Sequence, residues 1–176
     1  MGNWIDVKIP WEPGKRLGYA FNRAIETVED WVLILDYDVM LLSVNWYDIC
    51  LRAIDKYGHS AGLISCMTNN IGCPLQRDNH NKTQDMDWHF SRAAEVERKN
   101  AGVVQDVTDS QFKLSGMFFL THRSAWEKTG RVPDDKFIGV DNWYDARIRE
   151  NGYKVLILRD LYVYHGYKRL WKEGAK

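Results

Sequence analysis

Two aspartates interrupt an otherwise apolar stretch of the chain, WVLILDYDVMLL, which runs from Trp31 to Leu42. Apolar residues on both sides predict that this stretch is buried, and a buried carboxylate without a partner is strongly destabilising. Two carboxylates so close together also repel each other. Asp36 and Asp38 must therefore meet water at a turn, a basic partner or a metal ion.

The pattern of apolar residues predicts strands that alternate with helices. WVLIL is short and rich in branched apolar residues, which is typical of a buried strand. LGYAFNRAIETV and NWYDICLRAIDKYG carry their apolar residues at helical spacing. We therefore expect an α/β fold with a mainly parallel central sheet flanked by helices. Further strands are predicted at WIDVKIP, AGLISCM, GVVQDV, KLSGMFFLT, KVLIL and LYVYH, and further helices at WHFSRAAEVERK, RSAWEKTG and DNWYDARIRENG.

Composition places the chain among ordinary globular proteins. Its 176 residues, 45% hydrophobic and 27% charged, fit a single domain over residues 1–176. Lysine plus arginine equals aspartate plus glutamate at 24 each, so no bulk charge favours nucleic acid as a partner. The sequence contains no signal peptide pattern, no apolar run of spanning length and no Cys-x-x-Cys spacing. We expect a cytoplasmic protein with no transmembrane segment and with reduced thiols.

The spacing of Asp36 and Asp38 is suited to binding a cation. Side chains two residues apart in an extended chain point the same way, so both carboxylates can face one site. They also follow the end of a predicted strand, where open α/β sheets bind ligands. Carboxylate oxygens suit Mg²⁺ or Mn²⁺. The alternative is a tight hairpin turn between WVLIL and VMLL, with both aspartates in water.

A second Asp-x-Asp lies in the segment DMDWH. Asp85, Asp87 and His89 offer metal-ligating groups, but they follow the long polar segment 68–85 at a predicted helix start. Aspartates at that position commonly cap the helix and complement its dipole. We therefore favour a structural role for this pair. The polar segment itself reads as a mobile flap, with Gly72 and Pro74 in irregular backbone.

The order of these segments resembles the family 2 glycosyltransferases of the GT-A fold. GYAFNRAI precedes WVLILDYD, and LSGMFFLTHRSAWEKTG and FIGVDNWYDARIRENGYKVLILRDLYVYH follow far downstream. The resemblance covers roughly residues 5–166. It implies a Rossmann-like GT-A fold and transfer of a sugar, with inversion, from a nucleotide-sugar donor to a hydroxyl of a glycan, lipid-linked or protein acceptor.

The chain departs from the family pattern at two places. Val140 stands where the family has the first acid of a Glu-Asp pair. The chain also begins one strand-helix unit late, so we expect an N-terminally truncated version of the fold with much of the pocket for the donor's base missing. The exposed strand edge that this leaves, around WIDVKIP, predicts a homo-oligomer.

The resemblance also assigns roles to individual residues. Asp36, Asp38 and His165 would hold the divalent cation, Mn²⁺ or Mg²⁺, and Asp141 would act as the general base. The alternatives are a surface histidine at a strand end for His165 and a helix cap for Asp141. The implied donor-binding residues are Lys15, Arg16, Asn22, Tyr37, Ser115, Gly116, Lys168 and Arg169. The implied acceptor-binding residues are Trp143 and Tyr144, for which core packing is the alternative.

Two other functions fit the same residues. A nucleotide-sugar or glycan-binding module without catalysis would keep the cation site and lose the reaction. A metal-dependent nucleotidyltransferase would use the same acid pair on a nucleoside triphosphate. Turnover of nucleotide sugars would indicate the glycosyltransferase, and their binding without turnover would indicate the binding module. Turnover of nucleoside triphosphates would indicate the nucleotidyltransferase.

Overall fold

The computed structural model describes residues 4–78 and 83–166, and within these ranges the chain is mixed α/β. The strands are β1 (Ile5–Lys8), β2 (Trp31–Leu35), β3 (Val39–Leu41), β4 (Ala61–Thr68), β5 (Val104–Asp106), β6 (Phe118–His122) and β7 (Lys154–His165). The helices are α1 (Leu17–Glu26), α2 (Trp46–Tyr57), α3 (Met86–Lys99), α4 (Arg123–Thr129) and α5 (Val140–Glu150), with short 3-10 turns at Gly58–Ser60 and Pro74–Gln76. Of these helices, none has the length and apolar character needed to cross a membrane.

The strands form one open sheet in the order β1-β2-β6-β4-β7-β3, and β5 also pairs with β7. β1 runs parallel to β2, and β4 runs parallel to β7. β6 lies between β2 and β4 and is antiparallel to both, while β3 and β5 are antiparallel to β7. Most of the described strands therefore point in one direction, as expected, and β3, β5 and β6 run against them.

The sheet separates two apolar clusters, because successive strand residues point to opposite faces. Val32 and Ile34 of β2 belong to one cluster, whereas Trp31, Leu33 and Leu35 belong to the other. Helices α1, α3, α4 and α5 supply buried residues to the first cluster, and α2 supplies them to the second. Helices thus cover both faces, which confirms the predicted arrangement of a sheet flanked by helices.

Strand β7 joins two segments that the sequence predicts as separate strands. KVLIL and LYVYH form one continuous strand from Lys154 to His165, with an irregularity where the partner shifts between Cys66 and Met67 of β4. The first part of β7 pairs with β5 and its last part pairs with β3. The far end of β7 therefore reaches the turn that follows β2.

The hairpin alternative for WVLIL and VMLL is wrong. β2 pairs with β1 and β6, whereas β3 lies at the other edge of the sheet and pairs with β7. The chain therefore crosses the end of the sheet between Leu35 and Val39. Asp36 and Asp38 lie in this crossing segment, at the carboxyl end of β2.

The described part of the polar segment after β4 is packed on the protein. Ile71, Cys73 and Gln76 are buried, and Asp78 pairs with Arg92 of α3. Residues 69–78 therefore supply buried side chains to the fold, which a mobile flap would not do. Residues 79–82 of the predicted flap lie outside the described residues.

Candidate metal centre at the end of strand β2

Three of the predicted metal ligands lie together in the structure. Nε2 of His165 is 3.3 Å from Oδ1 of Asp38 and 3.8 Å from Oδ2 of Asp36. One potential ligand atom from each side chain lies within 4.8 Å of the other two. These distances are compatible with a single divalent ion after small side-chain adjustments.

The pairing of β3 with β7 creates this cluster. Val39 and His165 are partners across the two strands, so the residue before Val39 lies beside the end of β7. The N–H of Gly166 donates to the carbonyl of Asp38 at 2.9 Å. A Cβ atom at Gly166 would lie 3.3 Å from Oδ2 of Asp38, so glycine permits this close approach.

The ring of His165 is oriented by the segment that follows β4. Its Nδ1 lies 3.0 Å from the carbonyl oxygen of Asn70. A carbonyl only accepts, so Nδ1 carries the proton and, in the neutral ring, Nε2 presents its lone pair to the two aspartates. The side chain of Asn69 receives the His165 N–H at 2.8 Å and donates to the His165 carbonyl at 3.2 Å. This arrangement is typical of a histidine held for metal binding.

The burial and the negative charge of these side chains both favour a cation at the site. The Asp38 side chain is 9% exposed and that of His165 is 4% exposed, while Asp36 is 51% exposed. Burial raises the pKa of Asp36; His165 opposes this shift, and the carboxylates of Asp38 and Asp141 add to it. Positive charge, from a protonated His165 or from a metal ion, relieves this repulsion.

Asp141 lies next to the cluster without belonging to the three-residue group. It is in the first turn of α5, where Oδ1 accepts from the N–H of Asn142 at 2.8 Å and Oδ2 accepts from the N–H of Gly116 at 3.2 Å. A Cβ at Gly116 would lie 3.0 Å from that of Asp141, so the absence of a side chain there lets the two segments meet. The N–H of Asp36 donates to Met117 at 3.1 Å, which ties both acids to one stretch of backbone.

The prediction that Asn22 binds the donor is wrong. Asn22 is fully buried, and its Nδ2 donates to Val132 O at 2.7 Å and to Asp134 Oδ1 at 2.8 Å. Its Oδ1 accepts from Trp126 Nε1 at 3.1 Å and from Val132 N at 3.0 Å. With both donors and both lone pairs engaged, Asn22 fixes the segment after α4 against α1.

The N–H groups at the start of α1, which lie just after Lys15 and Arg16, are engaged within the chain. The N–H groups of Gly18 and Tyr19 already donate to the carbonyls of Lys136 and Asp134. Arg16 pairs with Glu12 at 2.8 Å. These helix-end N–H groups are therefore not available to a phosphate, and contact of the exposed Lys15 and Arg16 side chains with the donor stays a prediction. Lys168 and Arg169 lie outside the described residues.

The remaining donor-side residues border the cluster. Tyr37, between the two acids, is 59% exposed and available to a ligand. Ser115 precedes Gly116 and supports the neighbouring loop, because its Oγ accepts from Cys73 N at 3.1 Å and its N–H donates to Gln76 Oε1 at 2.8 Å. For Tyr37, Ser115 and Gly116, contact with a donor stays a prediction.

Of the two aromatic residues assigned to the acceptor, Tyr144 is misassigned. It is completely buried, its hydroxyl is 2.7 Å from Thr121 Oγ1, and its ring packs edge-on against Phe21. An apolar core position on α5 explains it fully. Trp143 is only partly buried and lies beneath the guanidinium of Arg147, so its contact with an acceptor stays a prediction.

The structural interpretation of the second Asp-x-Asp is confirmed. Asp85 caps α3, because its side chain accepts from the N–H groups of Asp87 and Trp88. His89 is buried, with Nδ1 2.8 Å from the Tyr162 hydroxyl and Nε2 3.1 Å from Thr83 O. These residues build the start of α3, and none of them belongs to the group of Asp36, Asp38 and His165.

Sequence reasoning missed Asn69 and Asn70, which hold His165 in place. Both directly follow β4, a strand parallel to β7, so they lie at the edge of the sheet where ligands bind. Two adjacent asparagines at that position were the available signal.

A separate surface concavity lies elsewhere on the protein. It measures ≈ 500 Å³ and is lined mainly by residues 105–110 with Leu75 and Lys154. One of its two carboxylates, Asp106, is already bound by Thr108 and Lys154. We place the chemistry at Asp36 instead, because the oriented histidine and the crowded acids converge there.

Comparison with known proteins gives no assignment. No known protein-family model matches the chain, and a search of curated proteins finds no match. The function of the site is therefore argued from its geometry.

Proposed function

We propose that the chain is a metal-dependent glycosyltransferase that moves a sugar, with inversion, from a nucleotide-sugar donor to an acceptor hydroxyl. One observation carries the proposal: the Nε2 side of His165 faces two carboxylates at the end of β2, with its Nδ1 on the Asn70 carbonyl. The order of the surrounding segments, which resembles family 2 glycosyltransferases, supports the same function.

The donor set fits a divalent cation. Asp36 and Asp38 supply hard carboxylate oxygens, and His165 supplies a nitrogen whose tautomer is fixed by its partner. Mn²⁺ accepts this mixture readily, and Mg²⁺ accepts its oxygens. A bound ion would supply Lewis-acid charge next to the diphosphate of the leaving nucleotide.

Residues beside the cation site would bind and position the donor. Tyr37 lies exposed between the two acids, where a donor ring or base can pack against it. Gly116 presents backbone without a side chain beside Asp141. The side chain of Asp141 fills the space that a side chain at Gly116 would take, so this glycine lets Asp141 lie close to the place proposed for the donor sugar.

We assign Asp141 as the general base of the proposed transfer. Its carboxylate is held by the N–H groups of Gly116 and Asn142, so its orientation is set before substrate binds. An inverting transfer needs such a carboxylate to take the proton of the acceptor hydroxyl as the hydroxyl attacks the anomeric carbon from the face opposite the leaving diphosphate. Trp143, two residues further along α5, offers an aromatic face for the acceptor.

The experiment compares metal binding and turnover in matched aspartate variants. Calorimetry with Mn²⁺, then assays with a panel of nucleotide sugars, are run on the wild type, Asp38→Asn and Asp85→Asn. We expect Asp38→Asn to weaken Mn²⁺ binding at least ~10-fold and to remove turnover, since loss of a ligand exceeds the effect of an outer partner. Asp85→Asn, in the other Asp-x-Asp, should retain both.

The outcome also decides between functions. Tight nucleotide-sugar binding without turnover by the wild type would favour the binding module. Turnover of nucleoside triphosphates alone would favour a nucleotidyltransferase. Equal Mn²⁺ affinity in Asp38→Asn and wild type would remove the metal centre from the proposal.

A further inference from the structure

A second cluster of metal-ligating side chains lies at the opposite end of β2. Asp30 immediately precedes β2, His59 lies in the 3-10 turn before β4, and His122 is the last residue of β6. One potential ligand atom from each of the three lies within 4.8 Å of the others. The strands β2, β6 and β4 are neighbours in the sheet, so the cluster joins three adjacent strands at one end.

His122 contains a buried nitrogen that no described group satisfies. The residue is fully buried, and Nε2 has no hydrogen-bond partner among the described residues. Nδ1 is engaged, because it accepts from the N–H of Ala125 at 3.1 Å and lies 2.7 Å from Ser124 Oγ. A buried polar atom without a partner is costly, so Nε2 requires an explanation.

The other two residues close the cluster from the solvent side. His59 Nε2 lies 3.0 Å from Asp30 Oδ1, and the two side chains are 58% and 46% exposed. The His59 ring is 4.4 Å from that of His122 between centroids and also stacks on Trp31. The cluster thus has one buried ligand, two ligands reachable from water, and an entry path for an ion.

The protonation of the inner ligand also suits a metal. The pKa of His122 is lowered to about 4, mainly by burial and also by His59, while Asp30 and the backbone of Ala61 and His59 oppose the shift. His122 is therefore neutral near pH 7, and a neutral imidazole is the form that ligates metals.

We propose that Asp30, His59 and His122 form a second metal site, for Zn²⁺ or a divalent ion of similar preference such as Co²⁺ or Ni²⁺. Two imidazole nitrogens with one carboxylate oxygen suit these ions better than Mg²⁺. Three protein ligands on a half-exposed surface leave room for water as a fourth. Six residue steps separate Asp30 from Asp36, which at about 3.3 Å each places the two sites roughly 20 Å apart.

Metal binding at this second site would move a proton from one ring nitrogen of His122 to the other. With Nδ1 accepting from Ala125, the neutral ring carries its proton on Nε2. Ligation through Nε2 moves this proton to Nδ1, where Ser124 Oγ at 2.7 Å accepts it and the bond from Ala125 is lost. No net proton leaves His122. Since the ion would tie three neighbouring strands together, its main effect is on the stability of the sheet.

The test uses a background in which Asp36→Asn and Asp38→Asn silence the first site. Calorimetric titration with Zn²⁺ should give one equivalent in this background. Asp30→Ala and His59→Ala should each lower the affinity at least ~10-fold, and both residues are exposed enough for the variants to fold. The control is Asp48→Ala, which removes an exposed carboxylate from α2 and should leave binding unchanged.

Thermal unfolding gives an independent readout. At a free Zn²⁺ concentration of ~100 times Kd, the background protein should gain roughly 5–10 °C in Tm, and this gain should vanish in His59→Ala. The buried cysteines do not compete in the folded state. Zinc binding that is equal in the background, Asp30→Ala and His59→Ala proteins, or no zinc binding at all, would overturn the proposal and leave Asp30 and His59 as a surface ion pair.

Discussion

Val39 and His165 are register partners across β3 and β7, and this single pairing brings the end of β7 to the aspartates that follow β2. Asp38 directly precedes Val39, and its backbone carbonyl accepts from Gly166. The distances of 3.3 and 3.8 Å from His165 to the two acids follow from that register. A register shift of one residue would turn His165 to the other face of the sheet and dismantle the site.

The asparagines after β4 give a matched pair of variants. Asn69 binds the His165 backbone through its side chain, whereas Asn70 contacts the His165 ring through its main-chain carbonyl. We expect Asn69→Ala to weaken Mn²⁺ binding about 10- to 100-fold with all ligands present, since it releases the backbone that positions one of them. Asn70→Ala keeps its carbonyl and should bind like the wild type; calorimetry compares the two. Similar losses in both variants would contradict this division of roles.

Asp141→Asn tests the base. An asparagine oxygen can still accept from Gly116 or Asn142, so the α5 start should keep its shape. We expect kcat to fall by ~10² to 10⁴, with nucleotide-diphosphate affinity nearly unchanged. Steady-state kinetics and calorimetry measure the two quantities. Full activity in this variant would require another base, and Asp145 is no replacement, because it is fully buried and bound by Arg149 and the Leu114 N–H.

Asn22→Ala separates a structural role from a donor-binding role. Removing this side chain leaves Trp126 Nε1 and Val132 N without their acceptor in the core. Each stranded donor costs about 1–3 kcal/mol, so we expect a loss of roughly 2–6 kcal/mol in the free energy of unfolding, with donor KM unchanged in the folded fraction. Asn45→Ala, which loses an exposed bond to Glu97, should cost less than about 1.5 kcal/mol. Urea unfolding and initial-rate assays check both. A raised donor KM without lost stability would reinstate donor binding.

Asp160 predicts a pH dependence of stability. Its Oδ2 accepts from Gly102 N at 2.8 Å, its Oδ1 has no partner in the described part of the chain, and burial raises its pKa. A raised native pKa means that the folded state holds the proton more tightly than the unfolded state. The stabilising contribution of Asp160 to the free energy of unfolding is therefore fully present at acid pH. It declines as pH rises from the ordinary pKa range of a carboxyl group through the raised pKa of Asp160 in the folded protein.

The matching variant is Asp160→Asn, which does not titrate. We expect the free energy of unfolding of the wild type, relative to this variant, to fall by up to about 1.4 kcal/mol for each pH unit of the window and to level off above it. Denaturant unfolding between pH 3 and 8 measures the difference. A difference that grows in favour of the wild type as pH rises would show that Asp160 is stabilised as a carboxylate.

The outer edge of β1 predicts self-association. In the described residues β1 pairs only with β2, and Trp4, Val7, Ile9 and Trp11 are exposed beside it. We expect the protein to dimerise through this edge with increasing concentration, and we expect Val7→Lys to shift it toward monomer. Val44→Lys replaces an equally apolar exposed residue outside β1 and should not. Light scattering over a concentration series measures the oligomeric state. A wild type that stays monomeric at every concentration would contradict the predicted dimer.

Periodicity and strand ends predicted much of this architecture from sequence. The helices, most strand positions and the meeting of Asp36, Asp38 and His165 follow from local patterns and from the order of segments. The antiparallel direction of β6 does not, because apolar content shows that a strand is buried and leaves its direction open. The separate prediction of KVLIL and LYVYH failed because Arg159 and Asp160 look like a turn; Asp160 is instead buried at a strand irregularity.

Side-chain roles were harder to predict than elements. Asn22 and Tyr144 sit at positions where a polar group either binds a ligand or satisfies a buried neighbour, and only the tertiary partners decide. Their partners, Val132 for Asn22 and Thr121 for Tyr144, are distant in sequence. The second cluster of Asp30, His59 and His122 has no motif spacing for the same reason: strand order in the sheet, and not proximity along the chain, brings it together.

The position of β7 has a consequence for folding. β7 follows the other six described strands in the chain, yet β3, β4 and β5 all pair with it. During synthesis β3 therefore has no partner strand until the ribosome has delivered more than a hundred further residues, and the sheet closes only through contacts of high sequence separation. We expect such a chain to fold slowly and to expose strand edges to chaperones until β7 has been synthesised. The contact between His165 and Asp38 forms only once β7 has joined β3, so a divalent ion bound at the proposed metal centre would report that this end of the sheet has formed.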